Sequence, residues 1–456
     1  MLAASLLILA ALRITLFSAR IAREGMQVDF AAFYIAGRSE AEGLNPYLNY
    51  PEHRPDIWFG LAPRQHSRFL YPPFAATLFR PLAAMPYSSA KVGWIIISLG
   101  GVACGAIASA FFLGGRKAGL LALAALVLAF LFHPTLVLIE RGQIDGLTFP
   151  LCVFSIILLS RGAKTHNFAA GFLLAWAILL KLHIVMIAPF MILRRRFSAL
   201  WGLATGIAAI SLLSLLLNGP REISDYVFRQ LPRISYYEAG GPAESLIPKE
   251  RYERLRAGIQ RGFARAEGKL YRIDYFRVIG CPSIAYAIYM GLLRAGKVVS
   301  LSLPSVCVFT VLFVLWTMRW RTARPEGDRH RLSVEGEFAW WLAVLALILL
   351  SAPVTRVSNT VWMIPAGILA LSQYHILKSR APNVLYMISA GVLFIAMPDN
   401  RAGLGELSTS TVVDFLFSTK YIAGEILLVC GLAGFAEISS SFDAKGDGNA
   451  ANSPST

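Results

Sequence analysis

A single carboxylate, Asp29, lies just after the first apolar stretch of the chain. Residues 1–20 are apolar enough to span a bilayer, and Asp29 follows in Val-Asp-Phe-Ala-Ala-Phe-Tyr at 28–34. A carboxylate at the mouth of a span can act as a general base, removing the proton of an attacking hydroxyl at the membrane surface. Aspartate is also a common helix N-cap. The local pattern leaves both interpretations open.

More polar and aromatic residues recur near the ends of apolar stretches. Tyr71 opens a Tyr-Pro-Pro sequence whose prolines fix the backbone. Its ring suits stacking on a sugar, or a place in the interfacial aromatic belt. Gln143 and Asp145 precede an apolar stretch, where Asp145 is either a helix cap or a ligand for sugar hydroxyls. Lys181 follows an apolar stretch, where a charge is costly unless it faces a cavity or a partner.

Four basic side chains near span ends are candidate contacts for a phosphate, because a departing lipid phosphate needs a cation to stabilise its charge. The alternative is that they reach along apolar surface to the membrane interface. These residues are Arg68, Arg141, Lys181 and Arg356.

The composition of the chain is that of an integral membrane protein, so these residues must be positioned by membrane-spanning elements. Of 456 residues, 56% are hydrophobic and only 15% are charged, whereas soluble domains carry about 25% charge. Apolar runs of about 15–25 residues recur along the chain, and such continuous runs predict helices and not barrel strands. We place 12 spans at residues 1–19, 92–113, 118–138, 145–160, 168–181, 183–193, 198–217, 298–317, 336–353, 359–374, 382–397 and 413–435.

Basic residues set the predicted topology. Lys and Arg concentrate in alternate short connections, which places the N-terminus and these connections in the cytoplasm. Two long connections, about 20–91 and 218–297, then lie outside. The catalytic domain is predicted to cover 1–437, with a disordered cytoplasmic tail at 438–456. Residues 168–193 could also form one tilted helix, but the sequence at 181–183 favours a break.

Other function classes are poorly supported. The net charge of +16 is spread over many short loops without a nucleic-acid-binding motif, so it is better explained by contact with anionic lipid headgroups. The five cysteines are scattered and form no Cys-x-x-Cys pair, so we expect neither a disulfide framework nor a metal site from them. The histidines show no metal-binding spacing either.

Several motifs together resemble glycosyltransferase family 87. They are Asp29 with Phe33-Tyr34, Gly43-Leu-Asn-Pro-Tyr47, Leu70-Tyr-Pro-Pro73, Gly142-Gln-Ile-Asp145, Gly171 to Lys181, Arg194-Arg-Arg-Phe197 and the later Ser351-Ala-Pro353. The family usually has a Trp and a His shortly after its Ser-Pro element, and the segment 353–359 has neither. We expect Arg356, Ser358 or Asn359 to take over a sugar or phosphate contact there.

The resemblance implies an all-α polytopic membrane protein with the GT-C fold. It implies a hexosyltransferase, similar to the family's mannosyltransferases, that moves a sugar from a polyprenyl phosphate to a lipid-linked or cell-envelope acceptor. The active site would face the outside of the cytoplasmic membrane, or the periplasm. Inversion at the anomeric carbon needs one base opposite the leaving group. Asp29 is the predicted catalytic base, and the predicted substrate-binding residues are Tyr34, Arg68, Tyr71, Gln143, Asp145, Lys181, Arg356 and Asn359.

No cofactor is predicted, although a divalent metal is compatible with the residues. The expected partners are the donor, the acceptor and membrane lipids, without nucleic acid. Two rival interpretations stay open. A secondary transporter would show paired charges and broken helices near the middle of the membrane, in two related halves. A non-catalytic lipid-binding or envelope-assembly protein would explain the altered segment after Pro353.

Overall fold

We describe the protein from a computed structural model. The structure describes residues 2–24, 27–48, 69–231, 283–294, 299–300, 302–322, 332–353, 356–398 and 411–450. All the regular structure in these ranges is helical. The predicted all-α class is therefore confirmed for this part of the chain.

The described residues up to 231 form ten α-helices. They are α1 (Leu2–Glu24), α2 (Val28–Ala41), α3 (Pro73–Ala83), α4 (Tyr87–Gly114), α5 (Ala118–Leu131), α6 (His133–Arg141), α7 (Asp145–Arg161), α8 (Lys164–Leu180), α9 (Ala188–Leu193) and α10 (Phe197–Asp225). The later described residues add α11 (Ile284–Arg294), α12 (Ser302–Thr322), α13 (Val334–Ser351), α14 (Ile364–Ser372), α15 (Tyr374–Arg380), α16 (Pro382–Ala396) and α17 (Thr411–Ala450). Short 3₁₀ turns at Leu182–Ile187 and Val357–Met363 precede α9 and α14.

Six helical stretches in the described ranges are long and apolar enough to cross a membrane, or seven if one bent pair counts as a span. The predicted count of 12 spans is not confirmed. Helices occur at all the predicted positions, but several are short or interrupted. The predicted span 118–138, for example, divides into α5 and α6 at Phe132, because His133-Pro134 starts a new helix and proline favours the first helical turn.

The predicted outer connection 20–91 contains two packed helices. Helix α2 is buried along most of its length although it is not among the candidate spans. At Gly37 a Cβ atom would lie 2.9 Å from the carbonyl carbon of Phe79 in α3, so the two backbones meet closely. Phe33 stacks on Phe79, with ring centroids 4.6 Å apart. This aromatic packing fixes α2, and with it Asp29, against the helical body.

The helix that leads to Lys181 is held by close backbone contact. A Cβ atom at Gly171 in α8 would lie 1.9 Å from the carbonyl oxygen of Ala199 in α10, and one at Gly202 would lie 2.0 Å from that of Phe168. Small residues permit such close helix packing inside membranes. Helix α8 ends at Leu180, where Lys181 turns to an extended conformation (φ −146°, ψ 94°). The predicted break at residues 181–183 is confirmed.

Helix α11 lies within the predicted outer connection 218–297. Helix α17 continues to Ala450, beyond the start of the predicted tail at 438. Residues 451–456 lie outside the described residues.

Candidate functional site

A tight turn between α6 and α7 is the structural centre of the candidate site. Gly142 adopts a left-handed conformation (φ 69°) that ends α6, and a Cβ there would lie 2.5 Å from the Cβ of Phe30 in α2. The indole Nε1 of Trp94 donates to the Gly142 carbonyl at 3.0 Å. The side-chain amide of Gln27 donates to the carbonyl of Ile139. These contacts fix the turn against the first residues of α2.

Asp29 meets two side chains from this turn. The Nε of Arg141 donates to Asp29 Oδ2 at 2.9 Å, and Gln143 Nε2 donates to the same oxygen. Within the described part of the chain, both side-chain hydrogen bonds of Asp29 end on Oδ2, and Oδ1 accepts none. The Asp29 side chain is 11% exposed and that of Arg141 is 35% exposed. Asp29 lies in the first turn of α2, and its side chain does not cap the helix. The arrangement leaves one carboxylate oxygen available to an incoming group.

Asp145 forms a second, fully buried cluster. Lys181 Nζ donates to its Oδ2 at 2.8 Å, with 8% of the lysine side chain and none of the aspartate side chain exposed. Ser358 Oγ and Asn359 Nδ2 approach the two carboxylate oxygens at 3.4 Å. Thr148 Oγ1 lies at the same distance from Oδ1. The cluster therefore joins α7, the end of α8 and the 3₁₀ turn after α13.

Tyr71 lies between the two clusters. Its half-buried ring contacts Phe33, with centroids 4.7 Å apart, and Tyr47 Oη donates to its carbonyl at 2.8 Å. Burial raises the pKa of the Tyr71 hydroxyl, and the carboxylates of Asp29 and Asp145 raise it further. The Arg356 and Arg141 side chains act in the opposite direction. Charges from both clusters therefore act on the same tyrosine.

The structure does not bring every predicted site residue to this region. Tyr34 is 1% exposed, and its hydroxyl donates to the carbonyl of Met85 at 2.8 Å within an aromatic cluster. It follows Asp29 by five residues on α2, which places it on another face of the helix. Arg356, by contrast, acts on Tyr71; it is half-buried, and its backbone N–H donates to Asn359 Oδ1 at 2.8 Å. Arg68 lies outside the described residues.

Two aromatic residues beside the Asp145 cluster were not predicted from the sequence. Lys181 Nζ lies 6.0 Å from the ring centroid of Trp362. His183 stacks on that indole with centroids 5.7 Å apart. Both rings follow a break in a helix, but the pattern did not distinguish them from residues of the membrane interface. Their proximity depends on packing between segments that are distant in sequence.

A second ion-pair cluster lies at the other end of α13. Glu337, in the first turn of α13, accepts from Arg194 and, at 3.1 Å, from Arg196. The Arg194 guanidinium also lies over the indoles of Trp320 and Trp340, at 5.2 and 5.4 Å. Helix α13 rises about 1.5 Å per residue, so roughly 20 Å separate this cluster from the turn that carries Ser358. Both sets of buried charges therefore lie at helix ends.

No three His, Cys, Asp or Glu side chains among the described residues are arranged to hold a metal ion. The residues near Tyr71 instead offer one partly accessible carboxylate and two arginines. Such a set can accept a proton from a hydroxyl and stabilise an anion. Together with the apolar helices, it defines an all-helical membrane protein with a polar site at one end of its helices.

A comparison with models of known protein families indicates what kind of membrane protein this is. Residues 69–247 match the model of glycosyltransferase family 87. The match confirms the resemblance found in the motifs, and with it the prediction of a glycosyltransferase. The matched segment includes Tyr71, Gln143, Asp145 and Lys181, whereas Asp29 precedes it. No curated protein and no solved structure matches the chain.

Proposed function

We propose that the protein transfers a hexose, such as mannose, from a polyprenyl phosphate to a lipid-linked or cell-envelope acceptor, with inversion at the anomeric carbon. The observation that carries this proposal is the arrangement around Tyr71. Asp29 Oδ1 accepts no hydrogen bond from the described residues, and Asp29, Arg141 and Arg356 all act on the Tyr71 hydroxyl. The match to a glycosyltransferase family supports the reaction class.

In the proposed reaction, the acceptor hydroxyl attacks the anomeric carbon of the donor sugar. Asp29 Oδ1 takes the hydroxyl proton as the new glycosidic bond forms. The bond between the anomeric carbon and the phosphate oxygen breaks, and polyprenyl phosphate leaves with the electron pair. No acid is required, because the phosphate leaves as an anion. A nearby cation lowers the barrier by stabilising the growing negative charge.

Asp29 is a better candidate base than Asp145 because the two carboxylates differ in accessibility. The Asp145 side chain has no exposed surface and is paired with Lys181 at 2.8 Å. The Asp29 side chain keeps 11% of its surface exposed, and its donors occupy one oxygen. Arg141 and Gln143 would hold the carboxylate plane while Oδ1 faces the acceptor. Asp145 would act by holding Lys181, Ser358 and Asn359 in place.

Arg356 is the cation that we assign to the donor phosphate. Arg356 lies in the connection after α13 and influences the Tyr71 hydroxyl. An arginine can contact phosphate oxygens through two N–H groups at once. Tyr71 would then stack on the transferred sugar between the base and the phosphate.

The position of the charges favours this proposal over a secondary transporter. Transporter sites typically lie near the bilayer midplane at broken helices. Here Asp145 is in the first turn of α7, and Lys181 follows the last residue of α8. Glu337 is likewise in the first turn of α13. The described ion pairs at these helices thus lie at their ends, as expected for chemistry at a membrane surface.

The donor class can be tested with the purified protein in lipid nanodiscs. Radiolabelled polyprenyl-phosphate hexoses and the matching nucleotide sugars are offered separately, with an envelope lipid extract as acceptor. We expect transfer from a polyprenyl-phosphate hexose, and a product whose anomeric configuration, measured by NMR coupling constants, is opposite to that of the donor. Transfer from a nucleotide sugar alone, or retention of configuration, would contradict the proposal.

The role of Asp29 is tested by Asp29→Asn, which keeps the shape of the side chain but removes its basicity. We expect turnover to fall by about 100-fold or more, as for loss of a general base, with little change in donor affinity. Glu42→Gln, at the exposed end of the same helix, serves as the control and should keep wild-type turnover. Wild-type turnover in Asp29→Asn would remove Asp29 as the base.

Orientation in the membrane needs a separate measurement. In a cysteine-free background, we expect Ala41→Cys to react with an impermeant thiol reagent in intact cells and Ala163→Cys to be protected. Both positions are exposed, and they lie in connections predicted to be outside and cytoplasmic. The opposite labelling pattern would place the proposed site in the cytoplasm.

A further inference from the structure

A group of acidic residues lies at the end of α2 remote from Asp29. Glu40 of α2 is 5% exposed, and its Oε1 accepts from Thr77 Oγ1 at 2.6 Å and from Arg80 at 3.2 Å. Its other oxygen, Oε2, is buried and has no hydrogen-bond partner among the described residues. Glu222, on the last turns of α10, also has a buried Oε2 without such a partner. Asn218, four residues before Glu222 in the sequence, accepts from the same Thr77 hydroxyl that contacts Glu40, and Glu222 acts electrostatically on Glu40.

The hydrogen bonds around Thr77 indicate whether Glu40 carries a proton. Thr77 Oγ1 lies 2.6 Å from Glu40 Oε1 and 2.9 Å from Asn218 Oδ1. A hydroxyl has one hydrogen, and a carboxylate and an amide oxygen are both acceptors. With an ionised Glu40, Thr77 can therefore satisfy only one of them in this arrangement. If Glu40 carries a proton, Glu40 donates to Thr77 and Thr77 donates to Asn218, so both contacts of the Thr77 hydroxyl are satisfied.

We propose that Glu40 and Glu222 share one proton at neutral pH and so form a pH-sensitive clamp between α2, α3 and the end of α10. One carboxyl group stays protonated, and the other pairs with Arg80. Among the described residues, Arg80 of α3 forms an ion pair with Glu40. Two neighbouring carboxylates in a buried position do not readily ionise together, because each disfavours the charge of the other.

The charged and titratable groups around Glu40 agree with a protonated carboxyl. Burial raises the pKa of Glu40, and Glu222 adds to this, whereas Thr77 and Arg80 act in the opposite direction. Tyr47, from the turn after α2, also interacts with Glu40. Asp225 acts on Glu222 from the same helix. Helix α2 itself contributes Arg38, which pairs with Glu42 on the exposed side.

The clamp is connected to the candidate site through Tyr47. The π-helical turn Tyr226–Gln230 continues α10, and the ring of Tyr226 stacks on that of Tyr47, with centroids 5.8 Å apart. Tyr47 Oη in turn donates to the carbonyl of Tyr71 at 2.8 Å. Loss of the shared proton would push α10 away from α2 and loosen this chain of contacts. The expected effect on catalysis rests on the proposed function, whereas the proposal that Glu40 and Glu222 share a proton does not depend on it.

The sign of the pH dependence follows from the raised pKa of Glu40. Its contribution to folding is fully present below the ordinary glutamate pKa and is lost as pH rises through the raised pKa of the folded protein. We therefore expect the thermal unfolding midpoint of the detergent-solubilised protein to fall as pH rises from about 5 to 9. Glu40→Gln, which mimics the protonated carboxyl, should reduce this fall. Glu42→Gln should keep it.

Infrared difference spectroscopy provides a readout that does not depend on folding or activity. A protonated carboxyl gives a carbonyl stretch, and we expect this band in the wild-type protein at neutral pH and its loss in Glu40→Gln. The proposal is overturned if the band is absent at neutral pH. It is also overturned if Glu40→Gln lowers the unfolding midpoint equally at all pH values, since Glu40 would then be an ionised partner of Arg80. Stabilisation by Ca²⁺ or Mg²⁺ that Glu40→Gln abolishes would instead assign a cation site.

Discussion

The buried pair of Lys181 and Asp145 allows a quantitative test of how the site is held together. Lys181→Met would leave a carboxylate without exposed surface whose remaining contacts, among the described residues, are three longer ones from Thr148, Ser358 and Asn359 at 3.4 Å. Removal of one partner of a buried ion pair costs about 3–5 kcal/mol. Asp145→Asn should cost a similar amount, because it leaves the Lys181 ammonium largely buried. Each single variant should therefore lower the unfolding midpoint by several degrees.

The double variant, Lys181→Met with Asp145→Asn, measures the interaction between the two residues apart from their individual contributions. With both charges removed, about 1–2 kcal/mol of the loss should remain, because neutral replacement of a buried pair is often tolerated. The coupling would then be several kcal/mol, well above the threshold for independent sites. Thermal unfolding of detergent-solubilised protein measures all three variants, and Lys164→Met at the exposed start of α8 is the control. Strictly additive losses would refute the reasoning. Weaker donor binding by Lys181→Met at unchanged stability would instead show that Lys181 contacts the phosphate.

Three further substitutions probe the backbone that positions the site. Gly171→Ala places a Cβ 1.9 Å from a carbonyl oxygen of α10, so we expect loss of folded protein in detergent, whereas Gly119→Ala, with no atom within 4 Å, should behave as wild type. Gly142→Ala combines a left-handed conformation with a 2.5 Å contact and should lower both unfolding midpoint and turnover, at a cost of about 2–4 kcal/mol. Trp94→Phe removes the 3.0 Å hydrogen bond to Gly142 and should cost about 1 kcal/mol in thermal unfolding.

Apolar patterning predicted the class of fold because lipid leaves few choices to the backbone. The same patterning did not predict α2 as a helix. Its residues are buried on nearly all sides, so no apolar face alternates with a polar one. The apolar pattern did not determine the number of membrane spans either. A short apolar run such as 183–193 can span the membrane, form a re-entrant segment or pack inside the protein. In the structure it becomes a 3₁₀ turn followed by the six residues of α9.

The chemistry-bearing residues were easier to predict than their pairing. Asp29, Gln143, Asp145 and Lys181 stand out in the sequence because polar residues near apolar stretches are costly. Which cation meets which carboxylate depends on the turn after α6. Because Gly142 reverses the chain there, Gln143 points to Asp29 while Asp145 begins α7 and meets Lys181. A one-residue change in this turn would alter both pairings, and no local pattern specifies it.

The segment after Pro353 lies at the candidate site although its sequence departs from the family pattern. It lacks the Trp and His expected next to the Ser-Pro element, but Ser358 and Asn359 reach both oxygens of Asp145. Trp362 follows on the same 3₁₀ turn, and His183 stacks on it from the segment after Lys181. A Trp and a His thus lie beside the cluster, although they come from different parts of the chain. Because their contacts depend on Lys181 and Asp145 remaining in place, the ion pair and the altered segment should lose their order together. The Lys181→Met variant should therefore also change the environment of Trp362, which tryptophan fluorescence compared with Trp362→Phe would reveal.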